Sequence, residues 1–135
     1  MPSEHPLRAA LETRFFHCAK EHDAIDVIAL ATTDGFPVHT YTRSPGGFAT
    51  DTLAAAASTL YSVSNAVAQQ ILGKRFKVTF IEAEQGNVAF VALSVEERDY
   101  VLAMSAKAAM NIANLRLQIQ RLATEISGLT RPNVA

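Results

Sequence analysis

Charge is what the middle of this chain lacks. Between Asp51 and Lys74 there is no Asp, Glu, Lys or Arg, in a sequence of 135 residues. Cysteine is nearly absent too. Cys18 stands alone, which excludes an internal disulfide and makes a reducing, cytoplasmic setting the expectation. Neither sign of charge is in excess: the net charge of -1 gives no electrostatic case for nucleic acid or an anionic membrane. The opening MPSEHPLRAALETRFFH has neither the basic segment nor the unbroken apolar run of a signal peptide, so none is expected. The uncharged stretch has the length to span a bilayer, but its Ser, Thr, Asn and Gln speak against that. Repeats, linkers and low-complexity segments are missing. What is present, 49% hydrophobic and 19% charged residues, fits one globular domain over 1–135 with its core at about 6–128.

Periodicity gives the elements. A first helix is predicted from about Pro6 to His22, with Leu7, Leu11, Phe15, Cys18 and His22 on one face. Ala24 to Thr32 reads as a strand covered on both sides. Thr33-Asp34-Gly35 is a turn, and Phe36 to Arg43 returns as an edge strand because Pro37 cannot donate a ladder hydrogen bond. Ser44-Pro45-Gly46-Gly47 is a loop. The uncharged segment is a helix capped by Thr50 or Asp51 and stopped by Gly73, its inward stripe being Leu53, Ala57, Leu60, Ser64, Val67 and Ile71. Strands follow at Arg75 to Ala83 and Val88 to Val95. A charged loop spans Glu96 to Asp99, and Tyr100 to Met104 makes a fifth strand. A last helix runs from about Ser105 to Ser127, with a frayed tail from Thr130 to Ala135. The expected fold is α/β of the α+β type, a three-layer α/β/α sandwich around an antiparallel sheet of about five strands, in the order α-β-β-α-β-β-β-α.

The uncharged helix is the candidate functional element. A surface helix normally turns a charged stripe to water. This one turns outward Ala55, Ser58, Thr59, Ser62, Ala66, Gln69 and Gln70. A second chain covering that face, and pairing with the adjacent strand edge, would remove two liabilities of a monomer. Arg75 and Lys77 also fit the role of guards that keep an edge monomeric.

Other constellations carry less. Gly46-Gly47 before a helix is the setting of a phosphate cradle, but the Lys-Ser/Thr of that motif is missing and Asp51 repels anions. Cys18 and His22, at i and i+4, with His17 beside them, lack a second pair of metal ligands, and His39 is isolated on a strand. Asp34 is a turn residue and Asp26 opens a strand. Arg75 and Arg98 are read as surface charges rather than arginine fingers. No catalytic residue, metal or cofactor is expected.

The hydrophobic strand into Thr33-Asp34-Gly35-Phe36-Pro37-Val38, the helix from Asp51 through Leu53-Ala54-Ala55-Ala56-Ala57, the strand pair around Gly86, and Arg98-Asp99-Tyr100-Val101-Leu102 leading to a helix with Asn111 and Leu115 together resemble the roadblock/dynein-light-chain domain, including its bacterial gliding-regulator branch. The match runs over about Leu7 to Ser127, and its specificity lies in order and spacing rather than in any one piece. The resemblance implies a homodimer or heterodimer, with the middle helices of two protomers side by side and the following strand paired with its copy. It also implies a non-enzymatic regulator or adaptor that binds a small Ras-like GTPase and modulates its nucleotide state. The alternatives are a dimeric scaffold without a GTPase and a small-ligand sensor. On this sequence the dimer interface is expected at Ala55, Thr59, Ser62, Val63, Ala66, Arg75, Lys77, Val78 and Thr79. Partner binding is expected at Ser58, Ser62, Asn65 and Gln69.

Overall fold

A computed structural model describes residues 5–44 and 49–130. Helix α1 (Arg8–Glu21) leads into strands β1 (Ile25–Thr32) and β2 (Pro37–Thr42). The long helix α2 (Thr50–Leu72) follows, then β3 (Val78–Ala83), β4 (Gly86–Val95), β5 (Arg98–Lys107) and helix α3 (Ile112–Ser127). The strands form one antiparallel sheet in the order β2-β1-β5-β4-β3. Helices α1 and α3 cover one face and α2 the other, which is the expected three-layer sandwich.

Strand alternation decides which helix each residue meets. Ile28 and Leu30 of β1, Val91 and Leu93 of β4, and Leu102 and Met104 of β5 point toward α1 and α3. There they meet Leu11 and Phe15 of α1 and Leu115, Ile119, Leu122 and Ile126 of α3. Their neighbours Ala29, Ala31, Phe90, Val101 and Ala103 point the other way, onto Ala54 and Ala57 of α2. A register shift between Ile25 and Val27 returns Ile25 to the first face. One side of the sheet is thus paved with large side chains and the other largely with alanine. At about 1.5–3 kcal/mol for each large aliphatic or aromatic residue buried, most of the apolar stabilisation lies on the α1/α3 side.

Polar groups and glycines fix the element ends. Arg43, just past β2, folds its guanidinium over the C-terminus of α1. Its Nε donates to the Ile25 carbonyl at 2.9 Å and its Nη2 to those of Ala19 and His22 at 2.5 and 3.2 Å. A cation there satisfies carbonyls that the helix leaves unpaired and sits at the negative end of its dipole. Gly73 ends α2 at φ +66°, a backbone state open to glycine without cost. The Asn111 side chain accepts from the Asn114 N–H at 2.7 Å and starts α3. A Cβ at Gly86 would lie 2.5 Å from the Ala106 carbonyl oxygen, so the approach of β4 to β5 requires glycine.

Several boundaries differ from expectation. Pro6 lies in the turn before α1, whose N-cap is Leu7. The cap of α2 is Ala49, with Asp51 in the first turn, rather than Thr50 or Asp51. Residues 75–77 precede β3 instead of belonging to it. The loop expected at Glu96 to Asp99 is a two-residue turn, and β5 continues to Lys107, so the last helix begins at Ile112 and not at Ser105. Gly46 and Gly47 lie outside the described residues, as does the tail beyond Thr130.

Candidate functional site

Helix α2 makes contact with β1, β2, β4 and β5, and its buried residues lie in its first half. Ala54 and Ala57 are buried there, with Leu53, Leu60 and Tyr61 packed around them. The Ser58 hydroxyl donates to the Thr33 carbonyl oxygen at 2.6 Å and ties the helix to the β1–β2 turn. The second half is held to the β3 side by three contacts. The Tyr61 and Phe76 rings meet edge to face at 5.8 Å, the Phe76 N–H donates to Asn65 Oδ1 at 3.3 Å, and Thr79 Oγ1 donates to Ser64 Oγ at 2.6 Å.

Beyond those contacts the helix shows apolar side chains to water. Val63, Val67 and Ile71, spaced by four, are 53%, 50% and 75% exposed, and Leu72 beside them is 69% exposed. Val67 and Ile71 were expected to face inward. The structure turns them outward because Ala54, Ala57 and Leu60 already fill the narrow contact with the sheet. Ile81 of β3, on the same face of the sheet as Thr79, is also exposed. Strand β3 pairs with β4 alone, so among the described residues its other edge is open.

The interface residues expected from the sequence sort cleanly. Ala55, Thr59, Ser62, Val63, Ala66 and Gln69 are all exposed on α2. Ser58 and Asn65 are not outward residues: both are half-buried, and their side chains are used within the chain, by Thr33 and Phe76. Thr79 and Val78 are half-buried in β3, the Thr79 hydroxyl being bonded to Ser64. Arg75 and Lys77 are exposed ahead of the strand, Arg75 lying 3.9 Å from Asp99. Arg98 opens β5 on the surface. Sequence reasoning missed Val67, Ile71, Leu72 and Ile81 as surface residues. The available signal was the run Ala54 to Ala57: a sheet contact made through alanine is short, and a helix of six turns outruns it.

Cys18 is half-buried between α1 and α3, and burial together with Glu125 and Glu21 pushes its thiol up to about 11, away from the reactive thiolate. His39 stacks on Phe15 with ring centroids 5.4 Å apart. Among the described residues no three metal-ligating side chains converge. In the same residues no helix is long and apolar enough to cross a membrane.

A family model described as the Roadblock/LC7 domain matches residues 19–106. The chain belongs to the Roadblock/LC7 domain family. Solved structures of the same fold include MglB of Myxococcus xanthus, at 19% identity over 82% of this chain and 86% of that one, with a TM-score of 0.70. The gliding protein MglB of Thermus thermophilus matches at 18% identity over 94% and 92%, with a TM-score of 0.75. An MglB described as having a tetrameric arrangement matches at 18% identity over 94% and 91%, with a TM-score of 0.77. No curated protein matches the sequence significantly. Roadblock/LC7 domains are regulatory and adaptor modules, and the family membership gives this chain a role of that kind.

Proposed function

We propose that the chain acts in the cytoplasm as a homodimeric, non-catalytic adaptor that binds a small Ras-like GTPase and modulates its nucleotide state. The observation that carries the reading is the stripe Val63, Val67 and Ile71 on a helix without charge from Thr52 to Gly73, beside a strand edge that is unpaired among the described residues. Exposed aliphatic side chains on an uncharged helix are stable in water only at a cost that a second protein surface removes. Pairing of β3 with its copy satisfies the open backbone groups, and pairing of α2 with its copy covers the stripe. Ala55, Thr59, Ser62 and Ala66 let the two helices approach closely. The dimer then presents Ser62 and Gln69 to the GTPase, while Ser58 and Asn65, already bonded within the chain, position the helix rather than touch the partner.

Two measurements test the reading in sequence. Sedimentation should give twice the chain mass at micromolar concentration; a clean monomer would sink the dimer. Addition of the chain to the cognate GTPase should change the rate of GTP hydrolysis or nucleotide release. A dimer that leaves both rates unchanged and does not co-sediment with the GTPase would instead be a scaffold.

A further inference from the structure

The sheet has a second edge, far from β3. Among the described residues strand β2 pairs with β1 only. The Arg43 N–H donates to the Asp26 carbonyl at 2.8 Å, and the register then sets Thr42 opposite Val27 and Tyr41 opposite Ile28. Antiparallel pairs alternate between bonded and non-bonded. Counted from the bonded pair of Asp26 and Arg43, Tyr41 and His39 direct their backbone groups to β1, and Thr40 and Thr42 direct theirs away from it. Among the described residues no strand receives them. From Pro37 to Thr42 there is no charged side chain to guard that edge.

Helix α1 runs beside this edge and in the same direction as β2: Phe15 stacks on His39, and Ala19 meets Arg43. Between them lies a groove of about 600 Å³, walled by Glu12 and Phe16 on one side and by the residues from His39 to Thr42 on the other. Phe16 is 52% exposed, and the Lys20 ammonium sits 5.9 Å from its ring centre. Among the described residues neither Glu12 nor Lys20 forms an ion pair or a side-chain hydrogen bond. Glu12, Phe16 and Lys20 follow one another at intervals of four, about 6 Å along the helix. Alternate residues of an extended chain repeat at about 6.7 Å. The two spacings stay in step over three positions.

We propose that this groove binds an extended segment of a partner protein, added antiparallel to β2, whose alternate side chains are acidic, apolar and basic and meet Lys20, Phe16 and Glu12 in turn. Backbone hydrogen bonds from Thr40 and Thr42 hold the segment, and the groove reads every second side chain. Reversal of the two charges reverses the preferred direction or sequence of the peptide. The site is independent of α2 and β3, and it stays open at both ends of a sheet joined through β3.

The probe is a capped peptide in which threonine alternates with Glu, Val and Lys in that order, titrated into isotopically labelled chain. The Thr40 and Thr42 amide signals should shift and saturate while those of Thr79 and Ile81 stay in place. The peptide with Glu and Lys exchanged should bind several-fold more weakly, and the E12K/K20E chain, altered only at exposed positions, should invert that preference. No saturable shift at Thr40 and Thr42 up to millimolar peptide overturns the proposal, as does equal binding of the two peptides. Concentration-dependent shifts at the same amides without peptide also overturn it, because they place a second copy of the chain on this edge.

Discussion

The Ser58 hydroxyl on α2 donates to the Thr33 carbonyl oxygen in the β1–β2 turn across 2.6 Å. The bond joins two elements 25 residues apart and sets the helix against Gly35, where an added Cβ would stand 3.9 Å from the backbone of Ala55. Ser58→Ala should cost about 1 kcal/mol, the usual worth of such a bond, and leave the solution mass unchanged. Urea denaturation and sedimentation of the same variant separate a positioning role from a contact role. A change in mass without loss of stability would return Ser58 to the interface.

Val67→Glu with Ile71→Glu places two carboxylates in the stripe where α2 is proposed to meet its copy. In the single chain both positions are half or more exposed, so monomer stability should move by no more than about 0.5 kcal/mol per site. In the dimer each charge would be desolvated without a partner. A loss of about 3 kcal/mol or more is expected, roughly a hundredfold in dimer affinity, read by sedimentation equilibrium.

Arg43→Met keeps much of the aliphatic stem and removes the donors to Ala19, His22 and Ile25. Hydrogen bonds from a charged group are worth more than neutral ones, and a loss of about 2 kcal/mol is expected. Arg43→Lys should recover part of it, since an ammonium reaches the carbonyls without the guanidinium's fork. The check is the denaturation midpoint at constant slope.

Glu96 and Glu97 form the β4–β5 turn at φ +49° and +69°. Left-handed backbone costs a residue with a Cβ about 1–2 kcal/mol, and two-residue hairpins of this hand favour Asn-Gly. Glu97→Gly should therefore stabilise the chain by about 0.5–1 kcal/mol net of the added freedom of the unfolded state. An unchanged or lower denaturation midpoint would show that the turn bears no such strain.

His39 gives stability a pH slope. Burial first, and Arg8 next, hold its pKa below the ordinary 6.5, with Glu12 opposing them. The unfolded chain therefore takes up this proton more readily than the folded one. The contribution is fully present above about pH 6.5 and falls as pH drops from there toward the folded value. Denaturation of His39→Gln at about pH 7.5 and about pH 5.5 should show a smaller loss on acidification than the parent chain.

The order of elements was legible because each long element carries a strong period or a strong stop: Leu7, Leu11 and Phe15 at helical spacing, the Thr33-Asp34-Gly35 turn, the Gly73 terminator. Two features misled. The run from Tyr100 through Ala106 continues as strand, where its small residues suggested an early start for α3; Asn111, whose side chain caps Asn114, marks the true start and was readable as such. The β4–β5 turn lacks the glycine that usually announces a two-residue hairpin, so Glu96 and Glu97 looked like part of a longer loop. At the candidate site, the absence of charge singled out α2, and Ser62, Val63 and Ala66 are exposed on it. It did not show which apolar residues face out. That depends on how much of α2 the sheet can reach, and period alone treats Ala57 and Val67 as equivalent members of one stripe.

The alanine paving between α2 and the sheet divides the molecule into layers of unequal strength. With Ala29, Ala31 and Ala103 meeting Ala54 and Ala57, and Phe90 and Val101 the larger side chains beside them, the helix is moored by fewer apolar atoms than α1 and α3, which are fastened by leucine, isoleucine and phenylalanine. Local release of α2 therefore costs less than unfolding of the whole, and its amides should exchange with solvent before those of α3. The partner proposed for the outer face of α2 would close this weak layer, and the stability of the helix would then be set by the concentration of that partner as well as by its own sequence.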